Sequence, residues 1–143
     1  MKEILKIKTD APLPAYGTAG SAGFDLYCNN DEPILAQPGE LVKVPTGVYM
    51  QIPNGYFGAI YPRSSAGTKL RIRLANTTGI IDSDYRGEII LFLVNEGEEV
   101  VTINKGDRLV QMVIQPYIQV DIQKVESLDE TDRGTGGFGS TGK

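Results

Sequence analysis

The sequence predicts an all-β domain, and three observations carry that expectation. Polar and apolar residues alternate in short bursts, the period of strands buried on one face. About every eight to twelve residues a Gly, Pro or Asn interrupts the alternation, as in domains built from many short strands. Finally, 17 glycines and 8 prolines spread along 143 residues leave little room for long helices.

In chain order, strands are predicted over residues 4–8, 23–27, 41–44, 48–52, 57–61, 70–74, 88–94, 100–103 and 108–114. The first alternates Leu5 and Ile7 with Lys6 and Lys8, and the second follows the tight entry Ser21-Ala-Gly23. Gln37-Pro-Gly-Glu40 is a turn that delivers the third, and Pro53-Asn-Gly-Tyr56 splits the fourth from the fifth, which Pro62 closes. Asn95-Glu-Gly-Glu98 separates the seventh from the eighth, and Asn104-Lys-Gly-Asp107 precedes the mostly apolar ninth. Beyond it Ile118, Val120 and Ile122 alternate as a further strand would, and an acidic, polar run up to Asp132 reads as a tether. No repeat or linker divides the chain, so residues 1–132 are read as one β domain and residues 133–143 as an arm.

That arm, Arg133-Gly-Thr-Gly-Gly-Phe-Gly-Ser-Thr-Gly-Lys143, carries a guanidinium and an aromatic ring on a backbone too rich in glycine to hold its own shape. It reads as a segment that closes over a ligand, with a flexible terminus as the alternative from composition. Arg133 offers a fork of donors suited to phosphate, and Phe138 offers a flat face suited to a base.

A net charge of -4 supplies no basic face for duplex DNA or RNA, so nucleic acid is not an expected partner and any phosphate site must be local. The single cysteine, Cys28, has no intrachain disulfide partner, which suits a reducing cytosol. The charged start Met1-Lys-Glu-Ile4 lacks a signal peptide's apolar stretch, and no run is apolar enough to span a bilayer. A cytoplasmic protein is expected, of a cell or of a virus or phage infecting one. Without histidine a structural zinc site is not expected, whereas a hard cation held by water and a ligand's phosphates fits.

Four internal clusters place charged residues in turn settings that packing does not explain. In Ser21-Ala-Gly-Phe-Asp-Leu-Tyr27, Asp25 sits on a tight entry to a strand, and a solvated or turn-capping role is the alternative. In Tyr61-Pro-Arg-Ser-Ser-Ala-Gly-Thr-Lys69, backbone N–H groups, serine hydroxyls and Arg63 can form an anion nest, with a plain polar loop as the equal alternative. Gly79-Ile-Ile-Asp-Ser-Asp-Tyr-Arg-Gly-Glu88 is the most specific: one of Asp82 and Asp84 can orient and deprotonate a water, and Tyr85 can wall a sugar ring, against the alternative of an Asx-turn in a hairpin. Gly106-Asp-Arg-Leu-Val-Gln111 alone is a turn and a strand.

Together, in this order and spacing, these clusters and the arm resemble the five motifs of the trimeric dUTP pyrophosphatases (dUTPases), over nearly the whole chain. The resemblance implies a distorted jelly roll of the β-clip type, assembled as a homotrimer with three active sites at subunit boundaries, each closed by a C-terminal arm. It implies hydrolysis of dUTP to dUMP and pyrophosphate by water attacking the α-phosphate, which limits uracil in DNA and supplies dUMP for thymidylate synthesis. Mg2+ would be held by the substrate triphosphate and water, with no direct protein ligand. Asp82 would be the base, and Tyr85 would pack on the deoxyribose. Asn76, with the hairpin backbone at Gly79 and Ile81, would read uracil and leave no room for thymine's methyl. Arg63, Ser64, Ser65, Gly67 and Gln111 would contact the phosphates, and Arg133 would clamp the γ-phosphate. Phe138 and Gly139 would cover the uracil while Ser140 and Thr141 add phosphate contacts. Asp25 would support the site from behind by engaging Arg108 or water around the metal. Ser65 stands where many members have glycine, so a side chain occupies a position that phosphates approach closely.

Three other readings accompany this one. A dCTP deaminase shares the fold family but needs a base at the pyrimidine ring, and the third and fifth motifs favour the hydrolase. A scaffold that binds a regulatory protein and a β domain without a site complete the set.

Overall fold

A computed structural model describes residues 3–139. The elements run β1 (Lys6–Thr9), β2 (Phe24–Leu26), β3 (Ile34–Ala36), β4 (Leu41–Pro45), β5 (Val48–Gln51), β6 (Tyr56–Pro62), α1 (Ser64–Thr68), β7 (Ile72–Leu74), β8 (Gly79–Ile81), β9 (Ile90–Asn95), β10 (Val101–Ile103) and β11 (Val110–Pro116). Turn chemistry places several breaks: Gly55 and Gly106 adopt φ of 85° and 90°, and the Tyr56 and Asp107 N–H groups donate to the carbonyls of Pro53 and Asn104.

Strand order is β2-β11-β6-β8 in one sheet and β4-β9-β7 in another, with the ribbons β1-β5 and β10-β3 beside them. Every pair is antiparallel. The sheets form a distorted jelly roll around one core, to which Leu26, Val44, Val48, Ile72, Leu91, Leu93, Ile103 and Met112 contribute. β4 and β5 alternate buried and exposed residues as predicted, since one face meets solvent. β6 instead buries Gly58, Ala59 and Ile60 in succession. Its closeness to β11 depends on Gly58, where a Cβ would stand 2.8 Å from the Met112 sulfur.

Several expectations need correcting. The strand predicted over 70–74 begins only at Ile72, because Lys69 and Leu70 still donate to the Ser65 carbonyl and Arg71 takes φ 56°. The strand predicted over 88–94 begins at Ile90, since the Glu88 carboxylate turns to accept the Gly47 N–H. β3 and β8 were not expected, and each is only three residues long. Ile118, Val120 and Ile122 alternate but pair with no strand among the described residues, and they are 89%, 74% and 96% exposed. No described helix is long and apolar enough to cross a membrane.

Cys28 lies in the core, where burial first and the charge of Asp107 second push its thiol up from 9.0 to about 12. The unfolded chain releases this proton first, so Cys28 leaves stability unchanged below about pH 9 and drains it as pH rises from there towards 12. The slope approaches about 1.4 kcal/mol per pH unit. Unfolding free energies measured between pH 8 and 10.5 should therefore fall more steeply for the wild type than for Cys28→Ala, and parallel curves would remove the thiol from the account.

Candidate active site

Asp25 is the hub of one cluster. β2 presents its carboxylate with Arg63 Nε 3.2 Å from Oδ1 and Arg108 Nη1 3.2 Å from Oδ2. Sheet register brings these distant segments together, because Gln111 of β11 lies opposite both Asp25 on β2 and Tyr61 on β6. Where β6 ends, the Arg63 N–H donates to the Leu109 carbonyl at 2.8 Å and its Nη1 to the Arg108 carbonyl at 3.2 Å. Two guanidinium groups against one carboxylate leave a net positive charge facing solvent, and ion pairs this exposed add little stability. Asp25 aims the arginines. The Asp25 to Arg108 contact was expected, whereas the pairing with Arg63 was not. Gly23 was also passed over: a Cβ there would stand 3.0 Å from Gln111 Oε1, so this glycine clears space for the amide.

Arg63 is also the N-cap of α1, with φ -71° and ψ 151°. The expected anion nest is a short helix, because Ala66 is buried and draws Ser64–Thr68 onto the body. Ser64, Ser65 and Gly67 are exposed on it. The first-turn N–H groups at Ser64 and Ser65 have no partner within a helix, so the donors that a nest would supply are present in another form.

The hairpin expected around Asn76 is instead a turn that carries the chain from β7 in one sheet to β8 in the other, with Asn76, exposed, and Thr77, at φ 65°, at its tip. The Thr77 N–H donates to the Leu74 carbonyl at 3.1 Å and the Thr78 N–H to the Asn76 carbonyl at 2.6 Å. Gly79 is buried opposite Ile60, whose Cβ would lie 3.2 Å from a Cβ at 79, and Ile81 pairs with Gly58. The left-handed Thr77 was missed because its sequence, Asn76-Thr-Thr-Gly79, assigns the special backbone geometry to Asn or Gly.

Past β8 the chain turns, with the Tyr85 N–H donating to the Asp82 carbonyl at 3.2 Å. Asp82 is exposed and lines two cavities. One, of about 590 Å³, also holds Phe57, Asp84 and Tyr117. The other, of about 300 Å³, holds Lys43, Ile81, Tyr85 and Phe92. Neither includes Asp25, Arg63, Arg108 or Gln111. One chain thus carries two separate groups, a cationic grip and an acid beside a tyrosine. A larger cavity of about 890 Å³, lined by Leu5, Ile7, Leu13, Tyr16 and Phe24, is apolar and holds none of the expected site residues.

The arm stands apart from both groups. Among the described residues the Arg133 side chain donates only to the Gly136 carbonyl, at 2.9 Å, and Phe138 is fully exposed with φ 51°. Gly139 takes φ 91°, while Ser140 and Thr141 lie outside the described residues.

A dUTPase family model matches residues 9–142, from β1 to the arm. The chain belongs to the dUTPase family. The deoxyuridine 5'-triphosphate nucleotidohydrolase of Thermoanaerobacter sp. (strain X514) is 48% identical, covering 99% of this chain and 99% of its own. That of Finegoldia magna is also 48% identical, with the same coverage of both chains. A mutant of the Staphylococcus bacteriophage 80alpha dUTPase, solved with dUpNHpp, superposes with a TM-score of 0.87 at 25% identity, covering 99% of this chain and 100% of that one.

Two glycines of this dUTPase separate local packing from the needs of a ligand. Gly79→Ala overfills the contact with Ile60 and should cost about 1–3 kcal/mol. Gly67→Ala, within α1, meets no atom within 4 Å and should leave stability unchanged or raise it by up to about 1 kcal/mol through helix propensity. Urea unfolding midpoints measure both, and equal losses would contradict the contacts described.

Proposed function

We propose that this chain hydrolyses dUTP to dUMP and pyrophosphate, with water attacking the α-phosphorus. The observation that carries the reading is the division of labour between the two groups. Arg63, Arg108 and Gln111 gather around Asp25 as a grip for phosphate, and Asp82 stands beside Tyr85, just past β8, as a seat for a nucleoside.

The α-phosphorus is shielded by negative oxygens, so orienting water and neutralising charge contribute more than a protein nucleophile would. Asp82 holds the water and takes its proton as the new P–O bond forms and the bond to the β-phosphate oxygen breaks, pyrophosphate leaving. Tyr85 covers the deoxyribose, and Asn76 with the backbone at Gly79 and Ile81 reads the uracil edge. Arg63, Ser64, Ser65, Gly67 and Gln111 hold the phosphates, Arg133 takes the γ-phosphate, and Phe138 and Gly139 cover the base with Ser140 and Thr141 beside the phosphates. The closed arm excludes bulk water.

Magnesium enters with the triphosphate in this reading. Both Asp25 oxygens face arginines, so in this reading the ion is carried by phosphate oxygens and water. Bound there, the ion supplies further charge neutralisation.

The active unit is proposed to be a homotrimer, with the arm of one subunit closing over an Asp82 of another. Support comes from the separation of the two groups within one chain and from exposed apolar side chains that call for cover. Leu41, Ile80 and Phe92 are exposed on the body, as are Ile118, Val120, Ile122 and Leu128 on the way to the arm.

A panel of deoxynucleotides analysed by chromatography tests the activity. dUMP with pyrophosphate is expected from dUTP, and ammonia release or absence of turnover would overturn it. Asp82→Asn should lower turnover by about 10²- to 10⁴-fold while nucleotide binding survives. Hydrolysis at the wild-type rate would pass the role to Asp84. Asp82→Asn and Arg133→Ala proteins should each be severely impaired, yet regain part of the activity when unfolded and refolded together. If mass spectrometry finds mixed trimers and activity stays at the level of the separate variants, base and arm belong to one chain.

A further inference from the structure

Tyr85 does not hold its ring in place unaided. Its hydroxyl donates to the Glu88 carbonyl at 2.9 Å, reaching back over Gly87. The ring lies so close to that glycine that a Cβ built there would stand 2.3 Å from Tyr85 Oη, 2.5 Å from Cζ and 2.9 Å from Cε2. No carbon approaches a ring so closely without displacing it. The Gly87 backbone is outside the left-handed region, so the turn itself does not demand glycine. What excludes a side chain at 87 is the tyrosine ring.

The anchor is itself tied down. Glu88 Oε1 accepts the Gly47 N–H at 2.8 Å, the Ile89 N–H donates to the Val48 carbonyl at 2.9 Å, and Thr46 Oγ1 donates to the Ile89 carbonyl at 2.6 Å. The carbonyl that receives the Tyr85 hydroxyl is thus fixed to the start of β5, a well-packed part of the body. The ring, by contrast, is 44% exposed and can swing outward without unfolding its surroundings.

We infer that Gly87 is a positioning residue for sugar discrimination: the gap above it, with the Glu88 carbonyl, sets where the Tyr85 ring meets the C2′ side of the sugar. The inference rests on the reading of Tyr85 as the wall beside the deoxyribose. A methyl at 87 pushes the ring off its anchor and opens space for a 2′-hydroxyl, so UTP gains relative to dUTP.

The test is kcat/KM for dUTP and UTP with the wild type, Gly87→Ala, Tyr85→Ala and the double variant, beside their unfolding midpoints. Gly87→Ala is expected to narrow the dUTP to UTP ratio by about tenfold. In the Tyr85→Ala background the same substitution should change the ratio less than about twofold, because its effect runs through the missing ring. Tyr85→Phe keeps the glycine, removes only the hydroxyl bond and should narrow the ratio by less than Gly87→Ala. If Tyr85→Ala narrows the ratio while Gly87→Ala and Tyr85→Phe preserve it, the positioning role is overturned and the wall reading stands. If wild-type protein hydrolyses dUTP and Tyr85→Ala leaves the ratio unchanged, the wall reading fails and the inference fails with it.

Discussion

Seven residue pairs between β6 and β11, from Val110 opposite Pro62 to Pro116 opposite Tyr56, are the constraint on which the cluster of Arg63, Arg108 and Gln111 around Asp25 depends. A slip of one residue would turn every side chain of β11 to the other face and carry Gln111 away from Tyr61 and Asp25. The register is fixed by shape. Met112 packs against the bare backbone of Gly58, and Val110 and Met112 are fully buried, so only one alignment fills the core without a clash. Arg63 then leaves β6 at the one place where its N–H meets Leu109 and its side chain meets Asp25. The ion pairs are too exposed to build this geometry and are better seen as its product.

How much of this the sequence disclosed depended on whether a residue's role was local. Strands with one wet face, such as β4 and β5, announce themselves by alternation, and turns at Gly55 and Gly106 by glycine. β3 and β8 escaped because three residues are too few to show a period. α1 escaped for the same reason, its serines reading as a loop until Ala66 is seen to be buried. The alternation of Ile118, Val120 and Ile122 misled because a period of two reports the conformation a segment favours, and says nothing about whether the same chain offers a surface to receive it. Among the expected site residues, the grouping of Asp25 with Arg108 was legible only through the family resemblance; Gly23 stayed hidden because it leaves room for Gln111, a side chain far away in sequence, and Gly87 because the sequence does not show that the Tyr85 ring folds back over its near neighbour.

The separation within one chain of the Asp25 cluster from Asp82 and Tyr85 bears on the proposed assembly. Within one subunit the arginines around Asp25 and the carboxylate of Asp82 line no common cavity, and in the proposed trimer catalytic competence would come from association as well as folding. In that proposed assembly, the apolar residues exposed on the body and between residues 118 and 128 would supply the driving force.

Thr77 holds a β-branched side chain at φ 65°, a conformation that costs on the order of 1–3 kcal/mol. Against a typical total of about 5–15 kcal/mol, that is a substantial charge on stability. The folded chain bears it before any ligand arrives. In the proposed reading, a base entering this turn would meet a backbone already shaped and spend none of its binding free energy on ordering a loop. On the same proposed reading a stiff turn would also discriminate by refusal: a base with one methyl group too many would find no wall that yields, and selectivity would be written into the backbone itself.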